Sequence, residues 1–238
     1  MGVFGEKVVI VIPTYNEYGN IQGIVDGVSE VLPRAELLFV DDSSPDGTGE
    51  KIRELASAHG NISLLQRPAK LGLGSAYLDA FREILTEKSS EIIVMMDGDL
   101  SHPISALPAM LPYLETYDLI VGSRYVDGGA TKGLSFVRRL LSYFANKYVH
   151  FWLGTMVHDM TSGFMVMKAD VLSNLNTQQH YSDGYAFSVE LKYQINQMGC
   201  RVFEYPIVFT ERAHGQSKLS FRVFLEAALL PLRIYFRV

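Results

Sequence analysis

The sequence of 238 residues contains a single cysteine, Cys200, and this scarcity excludes several classes of protein. One thiol forms neither a disulfide framework nor a cysteine-based zinc cluster. The six histidines have no partner at the spacing of a metal-binding motif, so we interpret them as structural or surface groups.

Sequence motifs of several common enzyme classes are also missing. The chain has no Walker A loop, no His-Glu-x-x-His motif and no Gly-x-Ser-x-Gly motif. Gly72-Leu73-Gly74 has Tyr77 where the third glycine of a dinucleotide-binding fingerprint would stand. These absences exclude P-loop enzymes, ordinary dehydrogenases and serine hydrolases.

Long uncharged hydrophobic runs are absent as well. The most apolar late stretch is 221–238, which is a poor bilayer span because it contains four charged residues and a proline: Arg222, Glu226, Pro231, Arg233 and Arg237. No charged-then-apolar segment precedes the first predicted strand, so we expect no targeting signal there.

Charge is distributed unevenly along the chain. Residues 1–131 contain 9 Lys+Arg against 19 Asp+Glu, whereas residues 132–238 contain 12 against 7. With 48% hydrophobic residues the chain is long enough to fold as one large domain. The net charge of −5 gives no reason to expect a nucleic-acid partner.

Short β-branched runs alternate with helical periodicity through the first half of the chain. The predicted strands are Lys7–Ile12, Glu36–Asp41, Ile62–Gln66, Ile92–Met96 and Leu119–Gly122. The predicted helices are Glu17–Leu32, Asp46–His59, Leu73–Glu87 and Ile104–Glu115. This alternation predicts an α/β fold, with a mostly parallel sheet covered by helices on both faces.

Four of these predicted strands end in polar clusters. The clusters are residues 13–17, 41–44, 97–99 and 122–124. Ligands of such sheets bind at the carboxyl ends of the strands. The four clusters therefore predict a single site at one sheet edge.

The second half has a different pattern. We predict a long helix at Leu134–Leu153, strands at Gly163–Lys168 and Arg201–Val208, and a helix around Phe187–Met198. The helix at 134–153 interleaves basic and aromatic residues, which is typical either of an interfacial helix or of a core helix with a solvated basic face. Without repeats or linkers, the chain is interpreted as one domain over about residues 1–220, followed by a C-terminal amphipathic, membrane-proximal helix at 221–238.

Three kinds of polar residue carry candidate chemistry, each with a simpler alternative. Asp97 and Asp99 after a buried strand can bind Mg²⁺ or Mn²⁺, or form only a solvated turn. A carboxylate of the Asp41-Asp42 pair can accept from a ribose hydroxyl or a base amine, or form a local cap. Arg124, Arg212 and Lys218 suit phosphate groups, although lone surface cations are usually only solvated.

The ordered set of motifs resembles family 2 glycosyltransferases of the GT-A fold, and more narrowly the dolichyl-phosphate (polyprenyl-phosphate) mannose synthases. The segments that carry the resemblance are residues 11–17, 41–48, 70–74, 97–103 and 122–125. Later segments agree: Arg138 with Ser142 and Asn146, residues 159–164, and residues 211–218. The match extends over about residues 7–225.

The resemblance implies roles for particular residues. The nucleoside of GDP-mannose would contact Pro13, Tyr15, Glu17, Val40 and Asp42. Asp97, Gly98 and Asp99 would form the Asp-x-Asp motif, with Asp99 the firmer ligand of Mg²⁺ or Mn²⁺. Ser101 stands where some members carry a metal-binding Gln, and we expect it to act through water. The diphosphate and the acceptor phosphate would face the cations Arg124, Arg138, Arg212 and Lys218. Of these residues, Asp99, Arg124, Arg212 and Lys218 would be catalytic.

The resemblance also implies an activity and a location. The expected reaction moves mannose with inversion from GDP-mannose to polyprenyl phosphate, at the cytoplasmic face of a membrane to which the protein binds peripherally. The segment at about 133–154 would then be interfacial, and a small membrane-anchoring subunit is an expected partner. Two alternatives remain open: the same fold using UDP-glucose or another sugar nucleotide, and a non-catalytic sugar-nucleotide-binding subunit of a membrane complex.

Overall fold

A seven-stranded sheet forms the centre of the computed structural model, which describes residues 7–87, 90–175, 185–211 and 221–236. Its strands are β1 (Val8–Thr14), β2 (Glu36–Asp41), β3 (Ile62–Gln66), β4 (Ile92–Met95), β5 (Leu119–Ser123), β7 (Met165–Lys168) and β8 (Val202–Pro206). They lie in the order β3-β2-β1-β4-β7-β5-β8. All neighbours pair in parallel except β7, which is antiparallel to both β4 and β5. The predicted mostly parallel sheet is confirmed.

Helices cover both faces of this sheet, as predicted. They are α1 (Tyr18–Val31), α2 (Thr48–Ala58), α3 (Leu73–Glu87), α4 (Leu107–Met110), α5 (Phe136–Leu153), α6 (Ala169–Ser173), α7 (Tyr185–Gln197) and α8 (Phe221–Phe236). Side chains of β1 alternate between two cores: Val9 and Val11 pack with α3 and α7, while Ile10 and Ile12 pack with α1 and α2. Successive side chains of a strand point to opposite faces of the sheet. Because both faces are covered here, nearly every residue of β1 is apolar.

Two predicted elements differ in the structure. The predicted helix at 104–115 is a 3-10 turn (Ile104–Ala106), then α4, then a second 3-10 turn (Leu111–Glu115). Pro108 and Pro112 explain the break, because proline has no N–H to donate to the residue four positions earlier.

The predicted strand at 201–208 is also divided. After β8 the chain changes partner at Ile207, whose N–H donates to Ser123 O and whose carbonyl accepts from Ala130 N. A second, two-stranded sheet follows, in which β9 (Val208–Thr210) pairs in parallel with β6 (Ala130–Lys132).

Helices α5 and α8 pack together beside the main sheet. Tyr148 Oη donates to Ala228 O at 2.8 Å, and the rings of Trp152 and Tyr235 are 5.4 Å apart. Ser135 caps the start of α5, and Gly154 ends the helix with φ of 59°. Within the part of the chain that the structure describes, no helix has the length and hydropathy to span a bilayer.

Candidate active site

The four predicted polar clusters meet at one edge of the main sheet. Strands β1, β2, β4 and β5 run in the same direction, so their carboxyl ends share that edge, as predicted. Among the described residues, three non-glycine residues have positive φ: Asn16 (56°), Ser43 (52°) and Leu100 (60°). Each follows one of three adjacent strands, β1, β2 and β4. Such sparsely populated backbone conformations concentrate at ligand-binding sites.

Asp41 holds the loop after β2 in place. Its carboxylate accepts from Thr14 Oγ1 at 3.0 Å, Ser44 N at 3.0 Å and Gln66 Nε2 at 3.0 Å. These partners are all local or on neighbouring strands, and Asp41 is buried. The local-cap alternative considered from the sequence therefore describes Asp41.

Asp42 has a different environment, in which a buried arginine fixes its orientation. Arg67 Nη1 lies 2.7 Å from Asp42 Oδ1, and Asp42 Oδ2 accepts from the N–H groups of Leu71 (3.1 Å) and Gly72 (3.3 Å). Burial raises the pKa of the Asp42 carboxyl, and the Arg67 charge opposes that rise. The carboxylate is thereby held in a fixed orientation at the edge of the sheet.

The other residues predicted to bind the nucleoside also lie near this edge, and their side chains differ in solvent exposure. Tyr15 is half-buried, and Lys70 Nζ lies 4.1 Å from the centre of its ring. Glu17 is buried and accepts from Asn20 Nδ2 at 2.7 Å. Pro13 is half-buried at the end of β1, paired with Val40 of β2. The side chain of Val40 packs in the hydrophobic core, so only its main chain is available to a ligand.

The Asp97-Gly98-Asp99 segment follows β4 and packs tightly against β1. A Cβ at Gly98 would lie 3.2 Å from Pro13 O, so glycine allows this close approach. Asp97 N donates to Nδ1 of His102, whose Nε2 lies 3.7 Å from Asp97 Oδ2. Burial lowers the pKa of His102, although Asp97 and Asp99 oppose this. A neutral His102 with its proton on Nε2 therefore faces the Asp97 carboxylate.

The environment of Ser101 is the feature of the site that bears most directly on metal binding. Its side chain is 1% exposed, and its Oγ has no hydrogen-bond partner among the described residues. Its backbone N–H donates to Asp99 Oδ1 at 3.1 Å, so the main chain of Ser101 is bound to that carboxylate. A buried hydroxyl without a partner is costly unless a ligand or water satisfies it.

The donor set fits a metal that is shared with a substrate. In the described ranges no group of three or more His, Cys, Asp or Glu side chains is placed to hold a metal ion. Mg²⁺ usually binds to one or two carboxylates and completes its shell with waters and phosphate oxygens. Asp97, Asp99 and the Ser101 hydroxyl are ligands of that kind.

Arg124, directly after β5, forms a closely bonded pair with Asp159. Arg124 donates to Asp159 through Nε at 2.8 Å and Nη2 at 2.7 Å, and its backbone N–H adds a third bond at 3.0 Å. Nη2 also donates to Thr161 Oγ1 at 2.7 Å. Burial alone would raise the pKa of Asp159, but the hydrogen bonds and charge of Arg124 outweigh it and lower the pKa. Arg124 is thus anchored at the edge beside the Asp97 loop.

The other predicted cations lie next to Glu211 or outside the described residues. Arg138, in the first turn of α5, lies 2.9 Å from Glu211 Oε1 in a partly exposed pair. Arg212 and Lys218 fall in 212–220, outside the described residues, so their roles stay predictions.

A model of the family described as glycosyl transferase family 2 matches residues 9–175, which is more than half of the chain. This chain belongs to glycosyl transferase family 2.

Two curated relatives are similar to this glycosyltransferase over most of its length. An undecaprenyl-phosphate mannosyltransferase of Micrococcus luteus is 35% identical over 94% of this chain and 91% of its own. A polyprenol monophosphomannose synthase of Mycolicibacterium smegmatis is 39% identical over 90% of this chain and 82% of its own.

Solved structures share the fold at lower identity. A mannosyltransferase from Pyrobaculum calidifontis, solved with GDP-Man and Mn²⁺, has a TM-score of 0.60 at 19% identity and covers 94% of this chain and 70% of its own. Glucosyl-3-phosphoglycerate synthase from Mycobacterium tuberculosis, solved with Mg²⁺ and UDP, has a TM-score of 0.68 at 19% identity and covers 98% of this chain and 80% of its own. These similarities confirm the GT-A fold of this glycosyltransferase.

Sequence reasoning missed several residues that hold the site of this glycosyltransferase together. Arg67 orients Asp42, and Glu204 of β8 accepts from the backbone N–H groups of His158 (2.7 Å) and Asp159 (2.9 Å). Lys192 of α7 is fully buried behind the same loop. In the sequence each is an isolated charged residue, and only the three-dimensional packing shows its partner.

Proposed function

We propose that this protein transfers mannose from GDP-mannose to the phosphate of a polyprenyl phosphate, with Mg²⁺ or Mn²⁺ as its cofactor. The observation that carries the acceptor and the sugar is the 35–39% identity, over at least 90% of the chain, to an undecaprenyl-phosphate mannosyltransferase and a polyprenol monophosphomannose synthase. The site geometry supports the proposal, because the carboxylates of Asp42, Asp97 and Asp99 share one sheet edge with the guanidinium of Arg124.

In this proposal the ends of β1, β2 and β4 hold the donor. Asp42, oriented by Arg67, accepts from the nucleoside, and Tyr15 and Glu17 lie on the neighbouring strand end. Asp97 and Asp99 would hold the metal, with the Ser101 hydroxyl bound directly or through a water. When bound, the metal neutralises negative charge that develops on the leaving diphosphate.

The acceptor determines which catalytic groups are needed. Transfer to an alcohol requires a general base, because a hydroxyl is a poor nucleophile at neutral pH. A phosphate monoester has a second pKa of about 6, so the acceptor is already an anion. One of its oxygens bonds to the anomeric carbon as the bond from that carbon to the GDP oxygen breaks, with inversion and without proton transfer. GDP leaves with the electron pair.

The protein then has to position two anions and balance their charge. Arg124 follows β5 and Arg138 lies in the first turn of α5, and we assign both to the diphosphate and the lipid phosphate together with Arg212 and Lys218. Preorganised cations of this kind stabilise the transition state without having to reorient during the reaction.

The exposed surface of α5 supports binding to a membrane. Within Phe136–Leu153 only Asn146 and Val149 are buried. Seven large apolar side chains of α5 are exposed, from 43% for Leu140 to 80% for Phe151: Phe136, Val137, Leu140, Leu141, Tyr143, Phe144 and Phe151. Exposed Arg139 and Lys147 lie among them. Basic and aromatic residues on one helix are typical of the bilayer interface, so we propose peripheral binding at the cytoplasmic face. A small membrane-anchoring subunit stays a prediction.

A panel of donors and acceptors tests the proposed function. The purified protein is incubated with Mn²⁺, a short-chain polyprenyl phosphate and either GDP-mannose or UDP-glucose. The lipid product is identified by mass spectrometry. We expect product from GDP-mannose only. Product from UDP-glucose alone would support the alternative donor. Binding of either nucleotide without turnover would support a non-catalytic subunit.

A further inference from the structure

Lys192 is a buried lysine that the reaction described above does not use. It lies in α7 and is 0% exposed. Its Nζ donates to three backbone carbonyls: Met160 O at 2.9 Å, Ser162 O at 2.6 Å and Ser188 O at 3.1 Å. An ammonium group has three donors, so these bonds use all of them.

This arrangement is unfavourable for stability alone. A buried ammonium group loses its hydration, and its three partners here are carbonyl oxygens rather than carboxylates. Burial lowers the pKa of Lys192 from 10.5 to about 7. Asp159 and Glu204 act in the opposite direction, while Arg124 lowers the pKa further. An apolar side chain of similar volume would avoid this desolvation, which points to a role other than stability.

Two of the three carbonyls belong to the segment Asp159–Gly163, which we call the anchor loop. Thr161 lies between the two bonded carbonyls, and its Oγ1 accepts from Arg124. Asp159, one residue before them, accepts from Arg124 Nε. Lys192 therefore fixes the backbone on both sides of a residue that holds Arg124.

The other end of the anchor loop lies against the Asp-x-Asp segment. A Cβ at Gly163 would lie 3.4 Å from Asp97 Oδ1, and Ser162 Oγ donates to Gly122 O at 2.7 Å. A shift of the anchor loop would therefore displace Arg124 and change the space beside Asp97.

We propose that Lys192 is a positioning residue for the transfer reaction: its ammonium group clamps the anchor loop, and the anchor loop sets the position of Arg124. The inference rests on the proposed function for its kinetic consequences. Its structural part, the position of Arg124, does not depend on the identity of the substrates.

The test compares Lys192→Met with Ile195→Ala. The first variant keeps most of the volume of the side chain and removes the three donors. The second creates a cavity at a fully buried position of the same helix and removes no hydrogen bond to the anchor loop. We expect Lys192→Met to lower kcat by roughly 10- to 100-fold, as small misplacements of catalytic groups do, with KM for the donor nearly unchanged. Ile195→Ala should lower the unfolding temperature and leave kcat unchanged.

Two further measurements separate the outcomes. A crystal structure of Lys192→Met should show the anchor loop and Arg124 displaced, whether or not the proposed substrates are right. In the wild type, kcat should decline between about pH 6 and 8 as Lys192, with its pKa of about 7, loses its proton, because a neutral amine cannot donate to three carbonyls. That decline should be absent in Lys192→Met.

Each result bears on one proposal. A folded Lys192→Met with wild-type kcat and an unmoved Arg124 would overturn the positioning role. If that variant does not fold, a flat wild-type kcat over about pH 6 to 8 would overturn it. Absence of any transfer by the wild type would contradict the proposed function instead, and the position of Arg124 in the variant would still decide the structural part.

Discussion

Asp159 accepts three hydrogen bonds from one residue, Arg124, through the backbone N–H and two guanidinium nitrogens at 2.7–3.0 Å. Asp159 is 0% exposed, so its charge has little access to water. The pair joins the end of β5 to the anchor loop, and it holds the Arg124 guanidinium in a fixed position at the sheet edge.

Asp159→Asn tests how much this pair contributes to stability. The amide keeps the shape but places an N–H₂ group against Arg124 donors, leaving the arginine without its counter-charge. Removing one partner of a buried ion pair typically costs about 3 kcal/mol of unfolding free energy, and we expect a loss of that order. Urea unfolding measures it, with exposed Asp127→Asn as the control. Equal stability of Asp159→Asn and wild type would contradict the prediction.

The same pair predicts a pH dependence of stability. The pKa of Asp159 is lowered in the folded protein, so its contribution is present above the ordinary aspartate pKa of about 3.9 and is lost as pH falls through the folded-state pKa. The difference in unfolding free energy between wild type and Asp159→Asn should therefore be constant at neutral pH and shrink below about pH 4. Urea unfolding at several pH values measures it, and a difference that grows toward acid pH would show that the sign is wrong.

Asp99→Ala tests the proposed metal site. We expect transfer to fall below detection while the circular dichroism spectrum and unfolding temperature remain close to wild type, because the residue lies at the edge of the sheet and not in its apolar core. Binding of Mn²⁺ in the presence of GDP, measured by calorimetry, should be lost as well. Exposed Asp127→Ala serves as the control. Full turnover in Asp99→Ala would refute the assignment.

Ser101→Ala distinguishes a metal-binding hydroxyl from a packing residue. Its Oγ has no partner in the described structure, so removing it should leave stability unchanged or slightly raised. If the hydroxyl supports the metal directly or through water, the Mn²⁺ concentration for half-maximal activity should rise by about 10-fold. A Mn²⁺ titration of initial rates measures this, and an unchanged requirement would exclude Ser101 from the metal site.

The introduction of negative charge on α5 tests the membrane surface. Leu141→Glu with Phe144→Glu places two carboxylates among exposed apolar side chains and should abolish flotation with liposomes that contain anionic lipid. Because both side chains are exposed, the unfolding temperature should change little. Tyr18→Glu, which alters an exposed aromatic residue of α1, is the matched control. Wild-type protein that stays in the soluble fraction would contradict the membrane proposal itself.

Much of the fold could be predicted because β-branched runs and helical periodicity were both strong. The predicted bounds Glu36–Asp41, Ile62–Gln66 and Leu73–Glu87 match β2, β3 and α3. Strands β6 and β9 were not predicted, since three residues are too few to show a period and their pairing depends on tertiary contact. The prediction of one continuous helix at 104–115 was wrong, because two prolines interrupt the helix despite its apolar spacing.

The candidate site could be predicted where chemistry lies in consecutive residues. Asp97, Asp99 and Asp42 follow buried strands, and the parallel topology places them at one edge. The structural roles of Lys192 and Arg67 could not be predicted, because a single charged residue in the sequence is usually solvated. Lys192, for example, stands in a helix between Leu191 and Tyr193. The burial of Lys192 and Arg67 depends on which elements pack above them, which sequence periodicity does not specify.

The most direct test of the central claim, that the lipid phosphate itself attacks the sugar, is the structure of the product. The protein is incubated with GDP-mannose, Mn²⁺ and either a short polyprenyl phosphate or the corresponding polyprenol, and any product is examined by NMR. We predict product from the phosphate only, with mannose joined through its anomeric carbon to the phosphate in the β configuration. Transfer to polyprenol, or an α-linked product, would contradict direct inverting attack by the phosphate.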